Sequence, residues 1–353
     1  MNKNKAVCKK MKFVWALVVG AALLLGADVW AAEKQPVNVI FETDMGNDVD
    51  DALALDMLYK YVDAGRVNLL AIMLNKESDA SARFVDIMGT YYGHPNVPIG
   101  VVRHGADCHA DAVQYCENVV GKKKADGTPY YATTLTDVKN LPDAHTLYRK
   151  ILAGQKDGSV VIVSIGFSTN LSRLVDSKPD RYSRLNGVQL MRRKVKVVSV
   201  MAGSSAAVPV PEYNIIKDTV AANNFFAKCP VPIVCSPFEV GIKIIYPYEQ
   251  GIKDMYAEDH PVRVGYEVYH PKHEDTPTWD LTSLLYAVET DSAYFNRRMP
   301  GRATVDGKGC THFKEAARGA NFSFLATPTD AQAKRVERRF LELIGTPPAN
   351  KRE

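Results

Sequence analysis

Asp44, Asp48, Asp50 and Asp51 crowd four carboxylates into the run Asp44-Met45-Gly46-Asn47-Asp48-Val49-Asp50-Asp51. If all four faced one crevice they would repel strongly, so either they point into solvent or they share a cation. A hard cation with oxygen ligands reconciles them, and Ca2+ accepts the roughly 6–8 oxygens such a crowd supplies. Helix capping is the competing explanation, with Asp48 as N-cap and Asp50 and Asp51 in a first turn against the helix dipole. Capping accounts for one or two acids but not for Asp44, which ends an apolar run. Two other chemistries fail on spacing. An EF-hand loop needs glycine at its sixth position, whereas counting from Asp44 puts Gly46 third and counting from Asp48 puts Leu53 sixth. A phosphatase of the Asp-x-Asp type needs an acid two residues after Asp44, where Gly46 stands.

The elements that must hold this cluster alternate along the chain. Val37–Thr43 reads as a buried strand, and residues 49–62 place Leu53, Met57, Leu58, Tyr61 and Val62 at helical spacing. A strand over Val67–Leu74, a helix over 78–92 capped by Ser78 and a strand over 97–102 behind two prolines follow. The polar stretch 103–142 has no clear period and reads as an insertion over one end of the sheet. Then come a helix over 143–153, a strand over 160–165, a helix over 168–175 and a strand over Val195–Met201. Past residue 218 the pattern predicts a helix, a strand over 231–234 and a helix over 279–289. A hairpin around Asp306-Gly307 and a closing helix over Asp330–Ile344 complete it. Alternation with continuously apolar strands implies one α/β domain, a mostly parallel, Rossmann-like sheet with helices on both faces. Ligands of such folds sit at the carboxyl ends of the strands, where Asp44 falls.

Five segments then carry a resemblance. Thr43-Asp44-Met45-Gly46 followed by Asp50-Asp51-Ala52-Leu53-Ala54-Leu55 is similar to the signature of the inosine-uridine-preferring nucleoside hydrolase family. Asn75 closes the second strand, and Gly93-His94-Pro95-Asn96-Val97-Pro98-Ile99-Gly100 resembles the family's G-x-P-x-x-P-I-G. Gly166-Phe167-Ser168-Thr169-Asn170-Leu171 resembles its G-P-L-T-N segment, and Glu212-Tyr213-Asn214-Ile215 with Asp218 its E-F-N…D segment. All occur in family order, between residue 39 and about residue 285.

The resemblance implies the nucleoside hydrolase fold and Ca2+-dependent hydrolysis of an N-ribosyl bond, a salvage reaction. It implies that Asp44, Asp51, Asp280 and the Ile165 carbonyl bind the ion, and that Asp44 also takes the proton of the attacking water. Asp50, Asn75, Glu212 and Asn214 would hold the ribose hydroxyls. A cation lowers the pKa of water and an oxocarbenium-like transition state welcomes nearby carboxylates, so the set is chemically coherent. Each residue also has a plainer role open to it: Asn75 in a turn, Thr169-Asn170 in a turn or cap, Glu212 and Asn214 in a proline-rich loop, Asp280 as an acid opening a helix.

The chain departs from the family at three places. Two extra residues precede the Asp pair, which makes Asp48 a helix cap within the insertion. Trp279 stands before Asp280 where much of the family has histidine, proposed to protonate the leaving base; indole cannot usefully donate that proton. Trp279 is assigned to substrate binding, stacking on the base, with a core anchor at a helix start as the alternative. Ala206 stands where the family has asparagine. His270 and His273 are the candidates for the missing acid. Two rivals therefore stay open: hydrolysis of another ribosyl or glycosyl substrate, and a non-catalytic calcium-dependent sugar or nucleoside binder. A phosphoribosyl enzyme is disfavoured, since the sequence has no glycine-rich phosphate cradle.

Residues 1–32 read as an export signal, with five lysines, an apolar run over 13–25 and a small-residue cleavage context, leaving 33–353 as a periplasmic or secreted catalytic domain. The run is shorter than the ~18–20 residues of a membrane-spanning helix. The chain has 44 basic and 40 acidic side chains; without the five lysines and Asp28 of the signal, 39 of each sign remain. That neutrality argues against a nucleic-acid partner and, with the signal removed, nothing argues for a membrane. The partner is a small-molecule nucleoside or ribosyl substrate, and family analogy adds a homo-oligomer. Of the five cysteines beyond the signal, Cys108–Cys116 or Cys229–Cys235 are possible local disulfides, with buried free thiols the alternative.

Overall fold

The computed structural model describes residues 35–106, 113–316, 318–345 and 348–351. The signal reading and Cys108 lie outside the described residues. The strands, numbered along the chain, are β1 Val37–Thr43, β2 Val67–Leu74, β3 Ile99–Val101, β4 Val160–Ser164, β5 Val195–Met201, β6 Ile233–Ser236, β7 Ile245–Tyr246, β8 Thr276–Pro277, β9 Gly301–Val305, β10 Thr311–Glu315 and β11 Phe322–Phe324. Along β1, Val39 and Phe41 enter one apolar core and Ile40 the other; along β4, Val161 and Val163 enter the first, Val160 and Ile162 the second. Period-two side chains buried on both faces produce the continuously apolar runs of the sequence.

Nine strands form one sheet in the order β10-β9-β11-β6-β5-β4-β1-β2-β3, and β7 and β8 form a separate pair. Pairing is parallel from β11 through to β3, while β9 and β10 run antiparallel at one edge. Helices Asp50–Asp63, Asp79–Tyr91, Pro261–Tyr269, Asp280–Val288 and Asp330–Ile344 supply one core. Helices Ala144–Gly154, Thr169–Asp176, Gly187–Lys194 and Thr219–Lys228 supply the other. The single α/β domain with a mostly parallel sheet covered on both faces is therefore as expected. Successive strands β1, β2 and β3 step outward to one side, and β4 then crosses to the other flank of β1. Neighbouring loops diverge at such a switch point and open a crevice at the carboxyl ends of β1 and β4.

Several local readings change. Strand 231–234 is displaced to β6, and β11, only three residues long, was not foreseen because its place between β6 and β9 comes from its partners. Helix Pro261–Tyr269 was also missed; His260 caps it, Nδ1 accepting from Val262 N at 3.2 Å, with Pro261 opening the first turn. Ser78 caps Asp79–Tyr91 as expected, Oγ accepting from Ser81 N at 3.2 Å. Asp48 is not the N-cap of helix Asp50–Asp63, which is Val49; it acts one residue earlier, Oδ1 accepting from Val49 N at 2.6 Å and Asp50 N at 3.4 Å. The stretch 103–142 contains a short helix, Tyr115–Gly121, whose first residue reaches the end of β1. Cys116, Cys229, Cys235 and Cys310 are buried free thiols, so the Cys229–Cys235 disulfide is not formed: Cys229 follows a helix, Cys235 lies within β6, and each sulfur faces a backbone carbonyl. No helix among the described residues is long and apolar enough to cross a membrane.

Candidate active site

The crevice predicted by the topology is a cleft of about 470 Å3. Asp44, Asp48, Asp50, Asp51, Ile165, Glu212, Asn214, Trp279 and Asp280 all line it, brought from the ends of β1 and β4 and from three helix starts. Asn75 does not line it. Fully buried at the end of β2, Asn75 donates from Nδ2 to Phe167 O at 2.8 Å, and its Oδ1 has no hydrogen-bond partner among the described residues.

Asp50, Asp51 and Asp280 gather carboxylate oxygens within 4.8 Å of one another. All three are almost completely buried. Burial drives the pKa of each well above the ordinary carboxylate range, and repulsion from neighbouring acids drives it further. Asp44 stands beside the trio and contributes to that repulsion at Asp51 and Asp280. Its own pKa is pushed up to about 6 by burial, against the opposing pull of the Asn47 amide and Lys76. An all-oxygen donor set, buried and mutually repelling, fits a hard divalent cation. The trio includes Asp50, which the sequence reading had assigned to ribose.

Asp50 has a second task that no spacing announced. Its Oδ2 accepts from Trp279 N at 2.9 Å and Asp280 N at 3.1 Å, tying the start of helix Asp280–Val288 to the start of helix Asp50–Asp63. Asp51 in turn accepts a hydrogen bond from the Thr43 hydroxyl. Gly166 is required by contact: a Cβ there would stand 2.5 Å from Asp44 Oδ1 and 2.6 Å from Asn75 Oδ1. Only a backbone without Cβ lets β4 end so close to the acids.

Glu212 and Asn214 close the polar side. Glu212 caps the short helix Tyr213–Lys217, accepting from Asn214 N at 3.0 Å and Ile215 N at 3.3 Å, and it also accepts from Gly203 N at 2.7 Å. Burial raises its pKa to about 7 despite these bonds. Asn214 donates from Nδ2 to the Ile165 and Met201 carbonyls at 3.1 and 3.2 Å, joining the ends of β4 and β5. Thr169 and Asn170 are structural, donating to Asp218 Oδ2 at 2.6 Å and Leu74 O at 3.0 Å.

The other wall is aromatic. Trp279 stacks on Phe238 with centroids 5.6 Å apart and an interplanar angle of 27°, and its Nε1 donates to Phe238 O at 3.1 Å. Tyr213 and Tyr269 complete this side. His270 and His273 are not among the cleft-lining residues; His270 faces Asp48 and Glu274, and His273 stacks on Tyr248. Ala206 is exposed in the loop after β5. The sequence reading missed Phe238 and Tyr269, whose segments have no distinctive spacing. It also missed Asn47 and Lys76, for which the insertion and a lysine directly after Asn75 were the available signals.

The model of the inosine-uridine preferring nucleoside hydrolase family matches residues 39–335. No curated protein sequence matches the chain significantly. Among solved structures, a plant nucleoside hydrolase is similar with a TM-score of 0.67 at 18% identity, over 88% of this chain and 100% of that one. A purine-preferring ribonucleoside hydrolase from Gardnerella vaginalis aligns with a TM-score of 0.62 at 16% identity, over 87% and 98%. The type III effector protein XopQ, solved with adenosine diphosphate ribose, aligns with a TM-score of 0.65 at 16% identity, over 88% and 94%. At these identities the structural likeness speaks for the fold, while the family match spans the acids, the cradle and the helices that join them. The chain belongs to the inosine-uridine preferring nucleoside hydrolase family and is an N-ribosyl hydrolase.

Proposed function

We propose that the protein is an exported, Ca2+-dependent hydrolase that splits ribonucleosides into ribose and free base. The observation that carries this reading is the buried Asp50, Asp51 and Asp280 trio with Asp44 beside it, at the switch point between β1 and β4. Asp44, Asp51, Asp280 and the Ile165 carbonyl would hold the ion, with Asp50 close enough to join them. Bound there, calcium supplies Lewis acidity and lowers the pKa of water.

Asp44 takes the proton from the attacking water, a role suited to a carboxylate raised to about 6. Glu212 and Asn214 hold the ribose hydroxyls from the opposite side. Asn75 holds the Phe167 carbonyl just past the end of β4; ribose contact by Asn75 requires the substrate to reach past the cleft lining. As the C1′–N bond breaks, positive charge grows on the sugar and the surrounding carboxylates stabilise it. Trp279, with Phe238 behind it, offers the leaving base a flat apolar face. Homo-oligomer formation is proposed only by analogy with the family.

Reducing-sugar release from a panel of nucleosides, with and without a chelator, tests the reading. Calcium-dependent release is expected; tight calcium-dependent ribose binding with no release from any nucleoside would leave only a binder. Trp279 in place of histidine favours one second reading, a ribosyl substrate whose leaving group needs no proton from that position. The neighbouring effector structure holds a ribosyl ligand of another kind, adenosine diphosphate ribose. A panel that includes such compounds separates the two.

A further inference from the structure

Asn47 belongs to the segment in which this chain is two residues longer than the usual family signature, and it lines the cleft. Its side chain is gripped from both ends. Nδ2 donates to Asp44 Oδ2 at 2.5 Å, and Oδ1 accepts from Lys76 Nζ at 2.8 Å. Lys76 is itself buried, one residue past Asn75 at the end of β2.

The loop bearing Asn47 is pinned by side chains from three other segments. Thr43 Oγ1 accepts from Met45 N at 3.0 Å, and Ser81 Oγ donates to Met45 O at 2.5 Å. Tyr115 Oη accepts from Gly46 N at 2.9 Å and donates to Asp48 O at 3.0 Å. Gly46 makes the turn possible at φ +105°, a conformation that costs glycine little. Four such anchors leave the Asn47 amide little freedom, which is the condition for holding a reacting group in one geometry.

An amide set between an ammonium and a carboxylate is polarised along its length. The lysine draws on the carbonyl oxygen, and the NH2 becomes a stronger donor toward the acid. The two oxygens of Asp44 are thereby made unequal. Oδ2 is engaged by Asn47, while Oδ1 is turned toward Gly166 and the end of β4, where the Ile165 carbonyl lines the cleft.

We propose that Lys76 and Asn47 form a positioning relay that locks Oδ2 of Asp44 and leaves Oδ1 as the oxygen that receives the proton of the attacking water. The inference rests on the proposed role of Asp44 as base. Lys76 acts on Asp44 by polarising Asn47 as well as by the pull of its own charge, and Asn47 acts through Asp44. In the reaction the C1′–N bond breaks with its electron pair going to the base nitrogen, the water oxygen bonds to C1′, and one water proton moves to Asp44 Oδ1 while the other stays on the new C1′ hydroxyl; the departing base takes a proton from solvent, and Asp44 returns its own to solvent. The relay itself gains and loses no proton.

Steady-state kinetics of Lys76→Met, Lys76→Ala and Asn47→Asp, each checked for melting temperature and calcium affinity, tests the relay. Asn47→Asp keeps an acceptor for Lys76 but loses the donor to Asp44, so it carries the test even where a lysine variant does not fold. The expected result is a kcat about ten- to a hundredfold lower in each variant, as for loss of a charge-assisted hydrogen bond. KM should stay within about threefold, the signature of a contact that matters in the transition state only. Ethylammonium should restore part of the kcat of Lys76→Ala. A kcat retained in folded Asn47→Asp overturns the relay, as does a loss confined to KM or a folded Lys76→Ala that no amine rescues. Asp44→Asn is the separate control: full activity there removes the base assignment itself, whereas an inactive Asp44→Asn beside an active Asn47→Asp removes only the relay.

Discussion

Asp44, Asp50, Asp51 and Asp280 meet from one strand end and two helix starts that are almost completely buried. Trp279, Phe238, Tyr213 and Tyr269 face the same cleft from segments that keep part of their surface in solvent. On the acidic side hydrogen bonds cross between elements, such as those from Trp279 N to Asp50 and from Asn214 Nδ2 to Ile165 O. On the aromatic side ring contacts prevail, Trp279 on Phe238, Tyr213 against Phe167 and Tyr269 against Tyr115. A developing charge needs groups that do not move as the reaction proceeds, whereas a flat leaving group needs a surface that tolerates sliding. On the proposed function the difference is one between a site for chemistry and a site for selection.

The largest effect should come from the acidic side. Asp44→Asn is expected to lower kcat by about 1,000-fold, within the range for loss of a general base, with ribose release as the measure. Comparable activity in that variant would break the contrast at its root.

Stability against pH sharpens it next. Burial raises Asp44 to about 6 and Glu212 to about 7, and also Glu42, behind Asp44 and bonded to Tyr148, to about 7. The folded protein therefore holds these protons more tightly than the unfolded chain does. Chelated protein should lose stability as pH rises from the ordinary carboxylate range, near 4, through about 6 and 7. Melting curves across that window should fall without calcium and flatten with it, since the ion binds the ionised form. A chelated protein that gains stability over the same window contradicts the account of Asp44, Glu212 and Glu42 as protonated buried acids.

Gly166→Ala comes third. The added methyl meets Asp44 Oδ1 and Asn75 Oδ1, and overpacking of this kind costs about 1–3 kcal/mol. Both the melting temperature and kcat should fall, because the clash displaces the base.

The aromatic side should give the smallest and most selective response. Trp279→Ala is expected to raise KM roughly tenfold, in line with the loss of one base–aromatic stack, and to leave kcat nearly unchanged. Equal losses in kcat and KM would move Trp279 to the chemical side of the comparison.

The sequence was most legible where a strand is buried on both faces. β1, β2, β4 and β5 stand out as continuous apolar runs, and Asp44 and Ile165 could be placed at their ends by counting. Glu212 and Asn214 were found as a motif, although their capping of a five-residue helix was not. The aromatic wall was largely illegible. Tyr269 ends a helix that was missed in the sequence, and Phe238 enters the cleft wall by stacking on Trp279, far along the chain.

By itself the sequence determined the α/β class, the strand ends and the acids that cluster there, because period-two and helical spacing are local properties of the chain. Only tertiary structure decided that Asp50 joins Asp51 and Asp280, that Asn75 bonds the Phe167 carbonyl and that Lys76 reaches Asp44 through Asn47. Those relations depend on which strand crosses beside β1 and how closely glycine lets it approach. Local spacing does not encode such distances; packing across the switch point sets them.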